Sequence, residues 1–222
     1  MLHWKNIKVT NFTLLIIKER STLKKIQMKT NTLHKWSKIL LIILGISLVV
    51  AIFVPIWSIF LNAPQYPEGL AMYIHADKVS GEYEIINGLN HYIGMKEIHA
   101  DEFWEFKILP YALAFFAAMC FLAAFVNSRK ILYVLTGIFL LFGVGFVFDF
   151  WRWLYDYGHN LNPHAAIIVP GMTYQPPLIG YKQLLNFEVW SYPNVGGAIM
   201  IATGVILIIL AFIEFKRAKK AI

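Results

Sequence analysis

The chain has a single cysteine, Cys120. That count excludes a disulfide framework, a paired-cysteine redox relay and any cysteine-based metal site. Charge is scarce as well: 15% of the 222 residues are Asp, Glu, Lys or Arg, against about a quarter in a soluble domain. The longest apolar runs contain no histidine, so a bis-histidine haem held between membrane helices is excluded. They also lack an acidic or basic residue at mid-depth, which disfavours a transporter with an ion or proton site at the bilayer centre. No glycine-rich nucleotide loop is present, and no catalytic motif, so neither a nucleotide nor an enzymatic activity is expected.

What the chain does have is apolar sequence, 58% of its residues with a mean hydropathy of +0.57. Four runs, residues 39–61, 108–126, 131–148 and 195–213, approach or exceed the roughly 20 residues needed to cross a hydrocarbon core at about 1.5 Å per residue. The expected fold is therefore an all-α integral membrane protein of four transmembrane helices. Residues 1–38 would form a basic cytoplasmic segment, 127–130 a cytoplasmic link and 214–222 a basic cytoplasmic tail. Residues 62–107 and 149–194 would be two extracytoplasmic loops. Met28-Lys29-Thr30 resembles a natural start, which would make residues 1–27 an over-extension. The stretch 28–61, with its basic beginning and long apolar run, reads as a retained signal anchor. Cys120 reads as a small apolar residue buried in the second span.

Orientation follows from the basic residues. Nine Lys/Arg precede the first run, Arg129 and Lys130 fill the short link, and Lys216, Arg217, Lys219 and Lys220 end the chain. The two long loops carry five Lys/Arg against eleven Asp/Glu. The positive-inside rule then places both termini in the cytoplasm (N-in/C-in) and both loops outside a cytoplasmic (inner) membrane, in the periplasm. Trp57, Trp104, Trp151, Trp153 and Trp190 sit near the outer ends of the runs, as interfacial anchors do. The net charge of +7 is thus a topology signal and calls for no nucleic-acid partner.

Both loops carry soft donors. His75, His91 and His99 lie in the first, His159 and His164 in the second, with Met72, Met95 and Met172 among them. Imidazole and thioether ligands suit copper. The first loop reads as a β-hairpin over residues 70–75 and 82–87, followed by a short helix that carries His91, Met95 and His99 on one face at steps of four. Two such steps rise about 12 Å, so all three donors could share an ion only if that helix breaks, and Gly94 is one place where it could. In the second loop, Asp156 or Asp149 could orient His159. An Asx turn at residues 160–162 with solvated histidines accounts for the same residues equally well. The candidate metal ligands are therefore His91, Met95, His99, His159, His164 and Met172. Residues 169–187, rich in proline and glycine, read as an extended segment lying against a surface.

Four strings are distinctive: Gln65-Tyr66-Pro67, residues 86–95 (Ile86 through Met95), residues 155–161 (Tyr155 through Leu161), and Val169-Pro170-Gly171-Met172 with Gln175-Pro176-Pro177-Leu178-Ile179-Gly180. Together they resemble a family of membrane proteins encoded beside nitrous oxide reductase in denitrification gene clusters of Bacteroidota. The resemblance runs from the outer end of the first apolar run into the fourth. It implies a membrane accessory protein, not an enzyme, that supports nitrous oxide reductase or its maturation machinery, with copper as the cargo. It supplies no binding residues. The chain lacks the lipoprotein cysteine and the cysteine–methionine motif of the lipoprotein copper chaperones found in such clusters. The alternative is a non-metal structural or docking subunit of a membrane complex.

Overall fold

The computed structural model describes residues 18–20 and 31–220. The expectations placed on residues 1–17 and 21–30, including a start at Met28, lie outside the described residues. The elements are, in chain order, helix α1 (Lys35–Ala51) and strands β1 (Trp57–Ala63), β2 (Tyr66–Ile74) and β3 (Val79–Gly81). Helix α2 (Tyr83–Ile93), a 3-10 turn at Ala100–Glu102, and helices α3 (Glu105–Val126) and α4 (Arg129–His159) follow. Strands β4 (Gly180–Leu184) and β5 (Phe187–Pro193) then lead into helix α5 (Val195–Lys220).

This is a mixed α/β protein, and the expectation of an all-α chain with four spans is corrected in two respects. A five-stranded antiparallel sheet, ordered β3-β2-β1-β5-β4, sits on the helices. Three helices, α3, α4 and α5, are long and apolar enough to cross a membrane. The run 39–61 is not one helix. Its helical part ends at Ala51, and at 17 residues α1 is about 26 Å long, short of a core about 30 Å thick. Pro55 disfavours helical backbone at Val54, and Trp57–Ala63 then enters the middle of the sheet. A central strand covered on both faces is as uniformly apolar as a membrane helix, so hydropathy alone cannot separate the two.

Strand β1 joins the two long loops. It pairs with β2 on one side (Ile59 opposite Met72) and with β5 on the other (Ile59 opposite Ser191). The hairpin expected in the first loop forms from β2 and only three residues of β3. Residues 83–87, expected as a strand, instead open α2. The second loop is likewise more ordered than its proline and glycine content suggests. Helix α4 continues to His159, so its 31 residues reach about 46 Å, and its last turns stand beyond a bilayer core as a pillar under the sheet. Strands β4 and β5 then form a hairpin around Leu185, whose φ is +55°.

Two apolar cores result. One lies among α1, α3, α4 and α5 around Leu41, Leu48, Leu113, Cys120, Leu135 and Leu207. The other lies between the sheet, α2 and the top of α4 around Ile59, Met72, Ile86, Ile98, Leu154 and Val189. They are coupled where α5 begins. Asn194 Nδ2 donates to Ser58 Oγ at 2.6 Å, and Trp57 Nε1 donates to Ser191 Oγ at 2.8 Å. Gly197 lies so close to the Ile56 carbonyl that a Cβ would sit 2.4 Å from it. Phe125, Leu141, Val144 and Ile201 are among the large apolar side chains left exposed along α3, α4 and α5. So much outward apolar surface marks a membrane protein.

The opposite end of the bundle is basic and tightly clasped. Glu214 is wholly buried there and accepts from Arg129 Nε at 2.9 Å, Ser37 Oγ at 2.6 Å and the His34 backbone N–H at 2.8 Å. Asn127, at the link between α3 and α4, accepts from the Leu33 N–H at 3.0 Å. These bonds tie the ends of all four bundle helices together.

Candidate metal-binding face

Helix α2 is amphipathic, with Ile86, Asn87, Asn90 and Ile93 turned inward and His91 outward. It stops where glycine permits a left-handed cap: Gly94 has φ +80°, and its N–H bonds back to the helix. Any Cβ at Gly94 would lie 2.9 Å from the Asn162 carbonyl oxygen. The chain then doubles back along α2. Asn87 holds this return, its Oδ1 accepting from the Ile98 N–H at 2.7 Å and its Nδ2 donating to the Ile98 carbonyl at 3.1 Å.

The reversal brings His91 and His99 to one carboxylate. Glu97 Oε1 is 3.9 Å from His91 Nδ1, and Oε2 is 3.2 Å from His99 Nε2. All three side chains are about half exposed or more. Glu97 was not among the ligands expected from the sequence. Its signal is the Glu97-Ile98-His99 spacing, since residues two apart on an extended segment share a face.

The other candidates are placed separately. Met95 turns inward, where it and Met72 line a small, partly open apolar cavity of about 60 Å³ between the sheet and α4, with Tyr174 in its wall. His159 stacks on Tyr155 with ring centroids 3.8 Å apart, its Nδ1 2.9 Å from the Tyr155 carbonyl. Asp156 and Asp149 do not orient it: Asp156 binds Lys96 at 2.9 Å and also Asn160, and Asp149 binds Arg152 at 2.9 Å. His164 is exposed in an Asx turn, its N–H donating to Asn162 Oδ1 at 2.9 Å. Met172 closes a turn onto the Val169 carbonyl.

The two loops do meet at this face. Asn162 N–H donates to the Gly94 carbonyl at 2.8 Å, and Ile167 N–H donates to the Tyr92 carbonyl at 2.9 Å. Among the described residues no three His, Cys, Asp or Glu side chains converge closely enough to hold an ion. Zinc-like coordination needs donors about 2.0–2.2 Å from the metal, so His91 and His99 would have to rotate about their exposed side-chain bonds. Two imidazoles and a carboxylate suit borderline divalent ions such as Cu(II) or Zn(II). The thioethers that would favour Cu(I) are not part of the set.

Elsewhere in the first loop, His75 packs at the foot of the sheet with Nε2 2.9 Å from Ser80 Oγ. Burial and the nearby Lys78 ammonium hold its pKa below the ordinary histidine value, against an opposite pull from Asp77.

Comparison with known protein families, curated proteins and solved structures finds no match to this chain.

Proposed function

We propose that this chain is a non-catalytic membrane accessory protein whose sheet domain receives or passes a borderline metal ion, with copper the favoured cargo, to an extracytoplasmic partner. The observation that carries this reading is the Glu97 carboxylate set between His91 and His99 on an exposed ridge. A shallow site of this kind binds weakly enough to hand an ion on, unlike a closed four-ligand structural site. Support for copper, and for nitrous oxide reductase or its maturation machinery as the partner, comes from the sequence resemblance. The proposed address is the cytoplasmic membrane. The basic end, with Arg129, Lys130, Lys216 and Arg217, then faces the cytoplasm and the sheet domain faces the periplasm.

Titration of the detergent-purified protein with Cu(II), Zn(II) and Cu(I) against a competing chelator tests the reading. Stoichiometric Cu(II) or Zn(II) binding that weakens at least about tenfold in Glu97→Gln, and is lost in His91→Ala/His99→Ala, supports it. Binding no stronger in the wild type than in the double variant removes the metal role.

A second reading, a docking subunit without metal, draws on strand β4. Gly180–Gln183 is exposed along the outer edge of the sheet, directly after the exposed Ile179. An unpaired edge with an apolar neighbour can accept a partner's strand. Gln183→Pro, at a position whose N–H points away from β5 in the ladder, would block such pairing and abolish co-purification of the partner while leaving metal binding intact.

A further inference from the structure

Helix α4 carries three glycines, Gly137, Gly143 and Gly145, at which an added Cβ would meet nothing within 4 Å. Small residues in membrane helices usually let a neighbouring helix approach, as Gly45 does beneath Phe121 and Gly197 beneath Ile56. Here they thin the helix and leave grooves on either side. Gly143 lines one of about 720 Å³ between α4 and α5, bordered by no charged residue among those described. Gly145 lines another of about 530 Å³ between α3 and α4, within the size range of ligand sites.

The second groove differs at its sheet end. Its apolar floor, Ile108, Leu109, Phe142 and Phe146, rises to His75, Glu105 and Asp149. It shares Trp104, Glu105, Phe106 and Asp149 with a polar basin of about 260 Å³ directly beyond. That basin holds four carboxylates, Glu102, Glu105, Asp149 and Asp156, against two cations, Lys96 and Arg152. Arg152 lies 2.9 Å from Asp149 and 3.9 Å from Glu105, and Lys96 is engaged by Asp156. Among the described residues the formal balance, two positive against four negative, leaves an excess of two negative charges at the mouth of an apolar slot.

We propose that the α3–α4 groove is a specific site for a phospholipid with a primary-amine headgroup. One acyl chain lies along Gly145, and the ammonium group sits on Glu105 and Asp149. The medium around α3 and α4 supplies acyl chains, and the carboxylate excess selects the cationic end of the headgroup. An ammonium offers three hydrogen-bond donors, whereas a choline headgroup has the same charge and none. The site is independent of the metal face and rests only on the membrane character of α3 and α4.

Native mass spectrometry of the delipidated protein tests this. The probe is an equimolar mixture of phosphatidylethanolamine, phosphatidylcholine and phosphatidylglycerol with identical acyl chains. The ethanolamine lipid is expected to be retained about tenfold over the choline lipid, as one charge-assisted hydrogen bond provides. Glu105→Gln/Asp149→Asn should erase that excess. Gly145→Leu should remove the adduct, and Gly143→Leu, which fills the neighbouring groove, should keep it. Thermal melting of each variant identifies any that fail to fold, and the wild-type ratio remains decisive by itself. Equal retention of ethanolamine and choline lipids, an excess that survives the double substitution, or dimers in place of lipid adducts would overturn the proposal.

Discussion

Glu214 and Arg129 form an ion pair at 2.9 Å at the basic end of the bundle, with their side chains 0% and 7% exposed. Removing one partner from such a pair leaves the other charge poorly compensated in a buried setting, at a typical cost of about 3–5 kcal/mol. Arg217, 3.8 Å from Glu214, would offset part of that cost when Arg129 is the one removed. Arg129→Met and Glu214→Met should therefore each lower the thermal midpoint in detergent sharply. Arg129→Met/Glu214→Met should recover part of the loss, although Ser37 and the His34 N–H then lose their acceptor. Strictly additive losses in the two single variants and the double would show that the pair is not coupled.

Gly158 ties the top of α4 to the segment before β4. A Cβ there would lie 2.3 Å from the Gln175 backbone, and the Gly158 carbonyl accepts from the Tyr174 N–H at 2.9 Å. Gly158→Ala should expel residues 174–178 from the wall of the cavity and destabilise the sheet domain by about 1–3 kcal/mol, the usual cost of overpacking. Limited proteolysis should then cut within residues 174–178, which the contact with Gly158 holds in place. An unchanged digestion pattern would mean that the segment packs without this contact.

Met95 separates the metal face seen in the structure from the one expected of a continuous helix. Because Met95 lines the inner cavity, Met95→Leu should leave metal affinity unchanged and cost less than about 1.5 kcal/mol of stability. His99→Ala should weaken binding with little effect on stability, since His99 is half exposed. Loss of metal on Met95→Leu alone would return the thioether to the site.

His75 gives stability a pH dependence of defined sign. Its folded pKa lies below the ordinary value of about 6.5, so the unfolded chain takes up a proton that the folded chain resists. Stability is highest above pH 6.5 and declines as pH falls from there to the lowered folded value, then levels off for this group. Denaturation of wild type and His75→Gln from pH 7.5 to 5 should diverge in that window, with the variant losing less. Parallel curves would show that His75 does not contribute.

The sequence carried the membrane character and the basic end directly, and offered Gly94 as one place where the helix could break. Residues 108–126, 131–148 and 195–213 are apolar enough that their burial in lipid needs no tertiary argument, and each lies within one of the three long helices. Gly94 marked the break in α2 because only glycine accepts its backbone without strain. Residues 39–61 misled because a sheet's central strand and a membrane helix have the same composition. Glu97 was overlooked because its partner His91 lies six residues back, across a reversal that no local period encodes. The grooves beside Gly143 and Gly145 were also hidden, since a glycine's letter does not say whether a neighbour packs against it.

Composition and the distribution of charge by themselves determined that this chain belongs with a bilayer and which end of its helices is basic. Both depend on summed transfer free energies that residues carry wherever they pack. The joining of two distant loops into one sheet, the inward turn of Met95, the meeting of His91 and His99 at Glu97, and the polar mouth of the α3–α4 groove were decided only by tertiary structure. Each is a contact between segments whose spacing along the chain carries no period. Strand register and helix packing bring them together, and neither property belongs to any single residue.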